Sequence, residues 1–193
     1  MHKGRLEAFS DGVIAVIITI LVLELKVPEG SDWSAPTPLI PVFVSYVLSF
    51  IYLGIYWNNH HHLLQAATHV NGAALWANLH LLFWLSIVPF LTSWMGENHF
   101  AAIPVALYGT VLLMAALGYY VLERVLIAEQ GTESPLKMAV GAEIKGWVSV
   151  AIYVAGILSA VFWTPDVSLA LYGLVALMWL VPDRRIERAL GRR

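Results

Sequence analysis

The first residues that could do chemistry lie at the start of an apolar segment. The sequence RLEAFSDGVIAVIITILVL places Arg5, Glu7, Ser10 and Asp11 within two turns of a predicted helix, with Phe9 among them. Ionisable groups at the membrane end of a helix are costly unless they are paired or solvated. We therefore expect them to contact neighbouring helices, although acidic groups in a first turn also favour the helix dipole.

Two more polar groups follow, in YWNNHHHLL (56–64) and LWANLH (75–80). Successive side chains of a helix are rotated by about 100°, so the histidines at 60–62 cannot share one face, and no carboxylate at metal-ligand spacing accompanies them. They do not favour a metal site. The residues expected at the depth of Ser10 and Asp11, in a hydrogen-bonded cluster that joins three helices, are Asn58, His61, Trp76 and Asn78.

The composition indicates which elements carry these groups. Hydrophobic residues make up 59% of the 193 residues and charged ones 12%, against about 25% charged in soluble domains. A membrane span needs about 20 mostly apolar residues. Six segments fit, at 8–25, 38–62, 72–94, 101–123, 144–163 and 167–181. The predicted fold is all-α, an integral membrane bundle of six transmembrane helices over residues 1–183, followed by a short basic tail at 184–193.

The basic residues predict how the bundle is oriented. With six spans, both termini and the second and fourth connections share one side of the membrane. That side holds ten of the eleven Lys and Arg residues, and the other holds only Lys26. Cytoplasmic loops are rich in Lys and Arg, so we expect a multi-pass protein of the inner (plasma) membrane with both termini cytoplasmic.

One face of the first span differs from the others. At about 100° per residue, Gly12, Val16, Thr19 and Leu23 lie within about 60° of one another, with Ile20 at their edge. Their spacing is that of a seam between like helices. The residue types by themselves favour close helix packing, in which Gly12 allows the approach. Thr19 would then bond back to the Ala15 carbonyl.

The motifs together resemble a known family. R-x-x-x-F-S-D at Arg5–Asp11, YWNNHH in the second span and LWANLHLLFWLSIVPF in the third are similar to the bacterial branch of the transmembrane protein 175 family, the family of the endolysosomal potassium channel. The resemblance implies a leak-like, potassium-selective channel and a homotetramer whose first helix lines a central pore. It further implies an apolar constriction and a threonine layer there, at Val16, Thr19, Ile20 and Leu23.

The same resemblance implies that Arg5, Ser10 and Asp11 hold the first helix against the second and third. No T-V-G-Y-G segment occurs, so a carbonyl filter of the potassium-channel type is excluded. The implied partners are potassium ions as the permeant species, the lipid bilayer and further copies of the chain. We expect no cofactor.

The sequence also bears on function classes other than channels. No GxSxG segment, paired acids or phosphate-binding loop is present, and no cysteine, so we predict that the chain is not an enzyme. A proton-coupled carrier or a metal-binding membrane protein, built on histidines 60–62 and His80, is the alternative. A non-conducting scaffold is a third possibility.

Overall fold

The computed structural model describes residues 3–131 and 144–180 of the chain. Within these ranges the chain is helical and has no strand. Its elements are α1 (Lys3–Leu23), a 3-10 turn (Thr37–Leu39), α2 (Ile40–Ala66), α3 (Gly72–Glu97), α4 (Ala102–Gln130), α5 (Ile144–Phe162) and α6 (Pro165–Leu180). The tail at 184–193, with its five arginines, and Lys137 of the loop before α5 lie outside the described residues.

The helices match the six predicted spans, with ends displaced by at most seven residues. Five helical segments are long and apolar enough to cross a membrane, and α6 is apolar over 16 residues. Local chemistry fixes some of the ends. The Asn71 side chain accepts a hydrogen bond from Ala74 N at 2.9 Å and so begins α3. Gly131, with φ of 86°, ends α4 in a conformation that favours glycine. The predicted six-helix membrane bundle is confirmed.

The helices pack in chain order around the pair α3 and α4, with α5 and α6 on the side of α4. Small residues allow close approach. A Cβ on Gly96 of α3 would lie 2.7 Å from Val42 Cα of α2, and a Cβ on Gly118 of α4 would lie 3.2 Å from Leu81 Cα of α3. Because membrane helices associate through such packing rather than through the hydrophobic effect, these glycines hold the bundle together.

The first helix lies against α2 and α3 at the edge of the bundle. Its buried residues recur every three or four positions and form a single face: Leu6, Ser10, Ile14, Ile17 and Leu21. Among the described residues, the other helices cover this face. The flanking Val13 and Ile18 are half-buried against the core, and the opposite side of α1 is exposed and mostly apolar.

Candidate functional site on the first helix

The α1 seam, which we define as Gly12, Val16, Thr19 and Leu23 with Ile20 at its edge, is exposed. Its centre lies about 150° around the helix from the buried face. Val16 is 56% exposed and Leu23 79% exposed, whereas Ile20 at the edge is 38% exposed. A Cβ added to Gly12 would meet nothing within 4 Å. Within the described residues, therefore, Gly12 packs against no neighbouring helix.

Thr19 shapes the chemistry of the seam. Its hydroxyl donates to the Val16 carbonyl at 2.7 Å, not to the Ala15 carbonyl that we expected. A threonine hydroxyl has one hydrogen and two acceptor lone pairs. Because the hydrogen is used inside the helix, the oxygen presents only acceptor capacity outwards. An exposed oxygen of this kind can bind a cation or a water molecule.

A buried hydrogen-bond chain joins α1 to α3 and α2. The Ser10 hydroxyl donates to the Leu6 carbonyl at 2.8 Å, Asn78 Nδ2 donates to Ser10 Oγ at 2.9 Å, and Asn78 Oδ1 lies 2.7 Å from His60 Nε2. Ser10, Asn78 and His60 have no exposed surface. We call these three residues the Ser10–Asn78–His60 chain.

The bonding pattern fixes the hydrogen positions in this chain. A carbonyl can only accept, so Ser10 uses its hydrogen on Leu6 and must accept from the Asn78 amide. The oxygen of Asn78 then faces His60 and requires a hydrogen on Nε2. His60 Nδ1 is buried without a partner among the described residues. The ring is therefore the neutral tautomer, since a hydrogen on Nδ1 would have no acceptor.

The predicted partners of the motif are partly brought together. Ser10 contacts Asn78 as expected, whereas the histidine in this chain is His60 and not His61. The Nδ1 atom of His61 lies 3.0 Å from Glu7 Oε1, so His61 faces α1 one turn from the motif. Asp11 accepts a hydrogen bond from Trp57 Nε1 at 3.0 Å. Four residues of α2 and α3 thus take part in the contacts with α1, and two of them, His61 and Asn78, were among our candidates.

The remaining candidates lie outside these contacts. Arg5 is exposed, Asn58 is half-buried, and Phe9 and Trp76 are 51% and 76% exposed. Across residues 3–131 and 144–180, none of these four side chains makes a hydrogen bond or an ion pair. The expected contact of the motif with Trp76 is absent between the described residues, because Trp76 points out of the bundle.

On α2, two residues that take part in these contacts escaped the sequence reasoning, His60 and Trp57. The run of three histidines did carry a signal, because its members must point in three directions. His60 turns into the bundle, His61 turns to Glu7, and the rings of His61 and His62 stand edge to face at 5.5 Å. Among the described residues, no group of three or more His, Cys, Asp or Glu side chains could hold a metal ion.

The opposite end of α1 is tied by a surface contact. Lys26, just beyond the helix, lies 2.7 Å from Glu97 at the end of α3. The hydrogen bond and the charge of Glu97 raise the pKa of Lys26 above its ordinary value. Both side chains are well exposed, so we attribute little stability to this pair.

The part of the chain that carries this site resembles known proteins in sequence. Residues 5–89, which include the α1 seam and the Ser10–Asn78–His60 chain, match the family described as "Endosomal/lysosomal potassium channel TMEM175". A protein of Chryseobacterium sp. (strain P1-3) named "Potassium channel" is 57% identical over 190 residues, 98% of either chain. The chain belongs to the TMEM175 family. The family resemblance drawn from the motifs is thereby confirmed, and with it the prediction that the chain is not an enzyme.

One solved structure agrees with this chain in fold, and a vertebrate relative matches part of its sequence. The crystal structure of a lysosomal potassium-selective channel TMEM175 homolog from Chamaesiphon minutus superimposes with a TM-score of 0.80 at 26% identity, over 94% of this chain and 97% of that one. The Homo sapiens "Endosomal/lysosomal proton channel TMEM175" is 37% identical over 75 residues, 33% of this chain and 15% of that protein. This TMEM175 chain is therefore a multi-pass membrane protein of a family of ion channels.

Proposed function

We propose that the chain forms a potassium-selective channel, a homotetramer whose central pore is lined by the α1 seam. The observation that carries the proposal is the exposed, mostly apolar seam, which lies opposite the face of α1 that the other described helices cover. One helix cannot enclose a conduit. Only a closed, symmetric ring of copies surrounds a pore with the same face of each α1.

The side chains of the seam suit a narrow pore. Val16, Thr19 and Leu23 follow one another at about 4.5 and 6 Å along the helix axis. In a ring, Val16, Ile20 and Leu23 form apolar constrictions, which can stop ions by excluding water. The Thr19 oxygens, whose hydrogens are held by the Val16 carbonyls, form a layer of acceptors between them. Such a layer replaces part of the water around a passing cation.

The two relatives that cover almost the whole chain carry potassium in their names, and this supports potassium as the permeant ion. The Chryseobacterium protein, which covers almost the whole chain, is named a potassium channel, and the Chamaesiphon homolog is titled potassium-selective. We further propose that the protein resides in the inner membrane with both termini in the cytoplasm. This orientation rests on the distribution of Lys and Arg, ten on one side and one on the other.

The oligomeric state and the ion flux test this function. We expect the purified protein to be a tetramer in detergent and to pass K⁺ faster than Na⁺ in proteoliposomes. Thr19→Val, which keeps the shape and removes the oxygen, should lower the K⁺ to Na⁺ ratio, while Thr19→Ser should retain it. A monomer, or a well-folded protein without cation flux, would overturn the proposal. An unchanged ratio in Thr19→Val would remove Thr19 from the selective layer.

A proton channel is the second candidate, because the Homo sapiens relative is named as one. It predicts that a pH-sensitive dye inside the vesicles reports H⁺ entry at zero K⁺ gradient. A carrier on the histidines would instead give saturable uptake driven by the pH gradient. Flux that rises linearly with K⁺ and leaves the internal pH unchanged would exclude both.

A further inference from the structure

A row of polar contacts joins the start of α1 to the end of α2. Lys3 Nζ donates to the carbonyls of Leu64, Gln65 and Ala67 at 3.1, 2.8 and 2.7 Å. One turn on, Glu7 Oε1 lies 3.0 Å from His61 Nδ1. After another turn, Asp11 accepts from Trp57 Nε1 at 3.0 Å. We call these three contacts the α1–α2 ladder.

The ladder has a regular register. Each step of four residues along α1, from 3 to 7 to 11, is matched by a step of four residues back along α2, from 65 to 61 to 57. Four residues rise by about 6 Å and nearly complete a turn, so the three side chains of α1 form one stripe. This stripe lies beside the buried face of α1 and away from the seam.

The Lys3 contact fits the end of a helix. The last carbonyls of an α-helix have no partner within the helix and carry its partial negative charge. The Lys3 ammonium has three hydrogens to donate, and two of its acceptors, Leu64 and Gln65, belong to the last turn of α2. Lys3 therefore caps α2, although it stands at the unfavourable, positive end of its own helix.

The chemistry of the Glu7 contact also decides which of the two side chains can donate a hydrogen. A carboxylate can only accept, so Nδ1 of His61 carries the hydrogen that it donates to Glu7. Both side chains are about one-third exposed or less, and the His61 ring stacks on Trp57 at a centroid distance of 6.2 Å. The middle step of the ladder is thus linked to the Asp11 step by this stacking.

We infer that Lys3 and Glu7 are positioning residues, which set the rotation of α1 and thereby decide which of its residues form the seam. This inference rests on the proposed function. A rotation of α1 by about 100° would place a neighbouring residue wherever Val16 now stands. The same rotation would turn Lys3 and Glu7 away from α2 and break both contacts. Because a helix is stiff over 21 residues, contacts at positions 3 and 7 fix positions 16 to 23.

The experiment uses the lack of cysteine in the chain, so that a single introduced thiol is the only one present. We follow K⁺ flux in proteoliposomes during treatment with a water-soluble thiol reagent. In the native register, Val16→Cys should be blocked and Ile18→Cys should not, because the two positions lie about 160° apart. Val16→Cys that stays unblocked in the otherwise native chain would contradict the proposed function itself.

The inference is tested by combining Val16→Cys with changes in the ladder. Lys3→Met with Glu7→Leu should slow the block by about fivefold, equivalent to ~1 kcal/mol. As a matched control, Lys26→Met with Glu97→Leu removes an ion pair outside the ladder and should leave the block unchanged. In a chain that carries Val16→Cys and keeps Lys3, Glu7→His with His61→Glu exchanges the two ends of the contact. This variant should be blocked by the thiol reagent at the native rate.

The outcomes separate the two proposals. If Val16→Cys is blocked in the native chain and at the same rate in the Lys3 and Glu7 variant, the inference is wrong and the pore assignment stands. If the double variant does not assemble, Lys3→Met alone carries the test, since it leaves the Glu7 contact in place. A native rate of block in Lys3→Met would then overturn the inference for Lys3.

Discussion

Replacement of Asn78 by leucine tests the Ser10–Asn78–His60 chain most directly. Leucine has nearly the shape of asparagine and no polar atom. The change removes the bonds to Ser10 and to His60 and leaves the buried Nε2–H of His60 without an acceptor. A buried hydrogen-bond donor without an acceptor lowers the free energy of unfolding by about 1–3 kcal/mol. The average hydrogen bond between membrane helices contributes ~0.6 kcal/mol. We expect the free energy of unfolding to fall by about 2–3 kcal/mol.

The assay is unfolding by sodium dodecyl sulfate in mixed micelles, followed by the fluorescence of the eight tryptophans. Asn98→Leu is the matched control, because the Asn98 amide is exposed and donates only to Trp94 of its own helix end. Water replaces that bond, so the control should change stability by less than ~0.5 kcal/mol.

A second replacement identifies the source of the cost. If most of it comes from the stranded His60, adding His60→Phe to Asn78→Leu should recover stability, because an all-apolar pair leaves no buried polar group unsatisfied. The reasoning fails if Asn78→Leu is no worse than Asn98→Leu. It also fails if His60→Phe lowers the stability of Asn78→Leu further.

Four further changes test the packing and the polar contacts, each measured by the same unfolding assay. Gly96→Ala should lose about 1–3 kcal/mol because its Cβ would overlap the α2 backbone. Gly12→Ala, whose Cβ meets open space, should lose nothing and gain up to ~1 kcal/mol of helix propensity. Tyr108→Phe should lose ~1 kcal/mol, since the Tyr108 hydroxyl bonds to buried Ser49 at 2.9 Å. Lys26→Met should leave stability almost unchanged, and any small difference should vanish at 1 M salt.

Much of the architecture could be predicted from the sequence because the membrane leaves few alternatives. Apolar length identifies helical spans, and turn residues between them give ends to within a few positions. The rotation of α1 could be predicted too. Once Ser10 was placed toward neighbouring helices, the regular geometry of the helix put Gly12, Val16, Thr19 and Leu23 on a different side, and the structure shows them exposed.

The identity of the partner residues could not be predicted as well. Depth in the membrane follows from chain position, but the rotation of α2 relative to α1 depends on packing along its whole length. Histidines 60–62 offer one side chain in each of three directions, so a difference of one residue exchanges His61 for His60. Lys3 escaped notice because its acceptors are backbone carbonyls, which every residue has and no sequence pattern marks.

The contacts of α1 also bear on how the protein is made. The residues that α1 contacts lie well after α1 in the sequence. Trp57 lies 46 residues after Asp11, the carbonyls bound by Lys3 lie 61 to 64 residues after it, and Asn78 lies 68 residues after Ser10. At a synthesis rate of ~5–20 residues per second, about 3–14 s pass between Ser10 and Asn78. Until Trp57 and His61 have been synthesised, the carboxylates of Asp11 and Glu7 must stay hydrated at the membrane surface. The contacts of α1 can therefore be completed only after α3 has been synthesised.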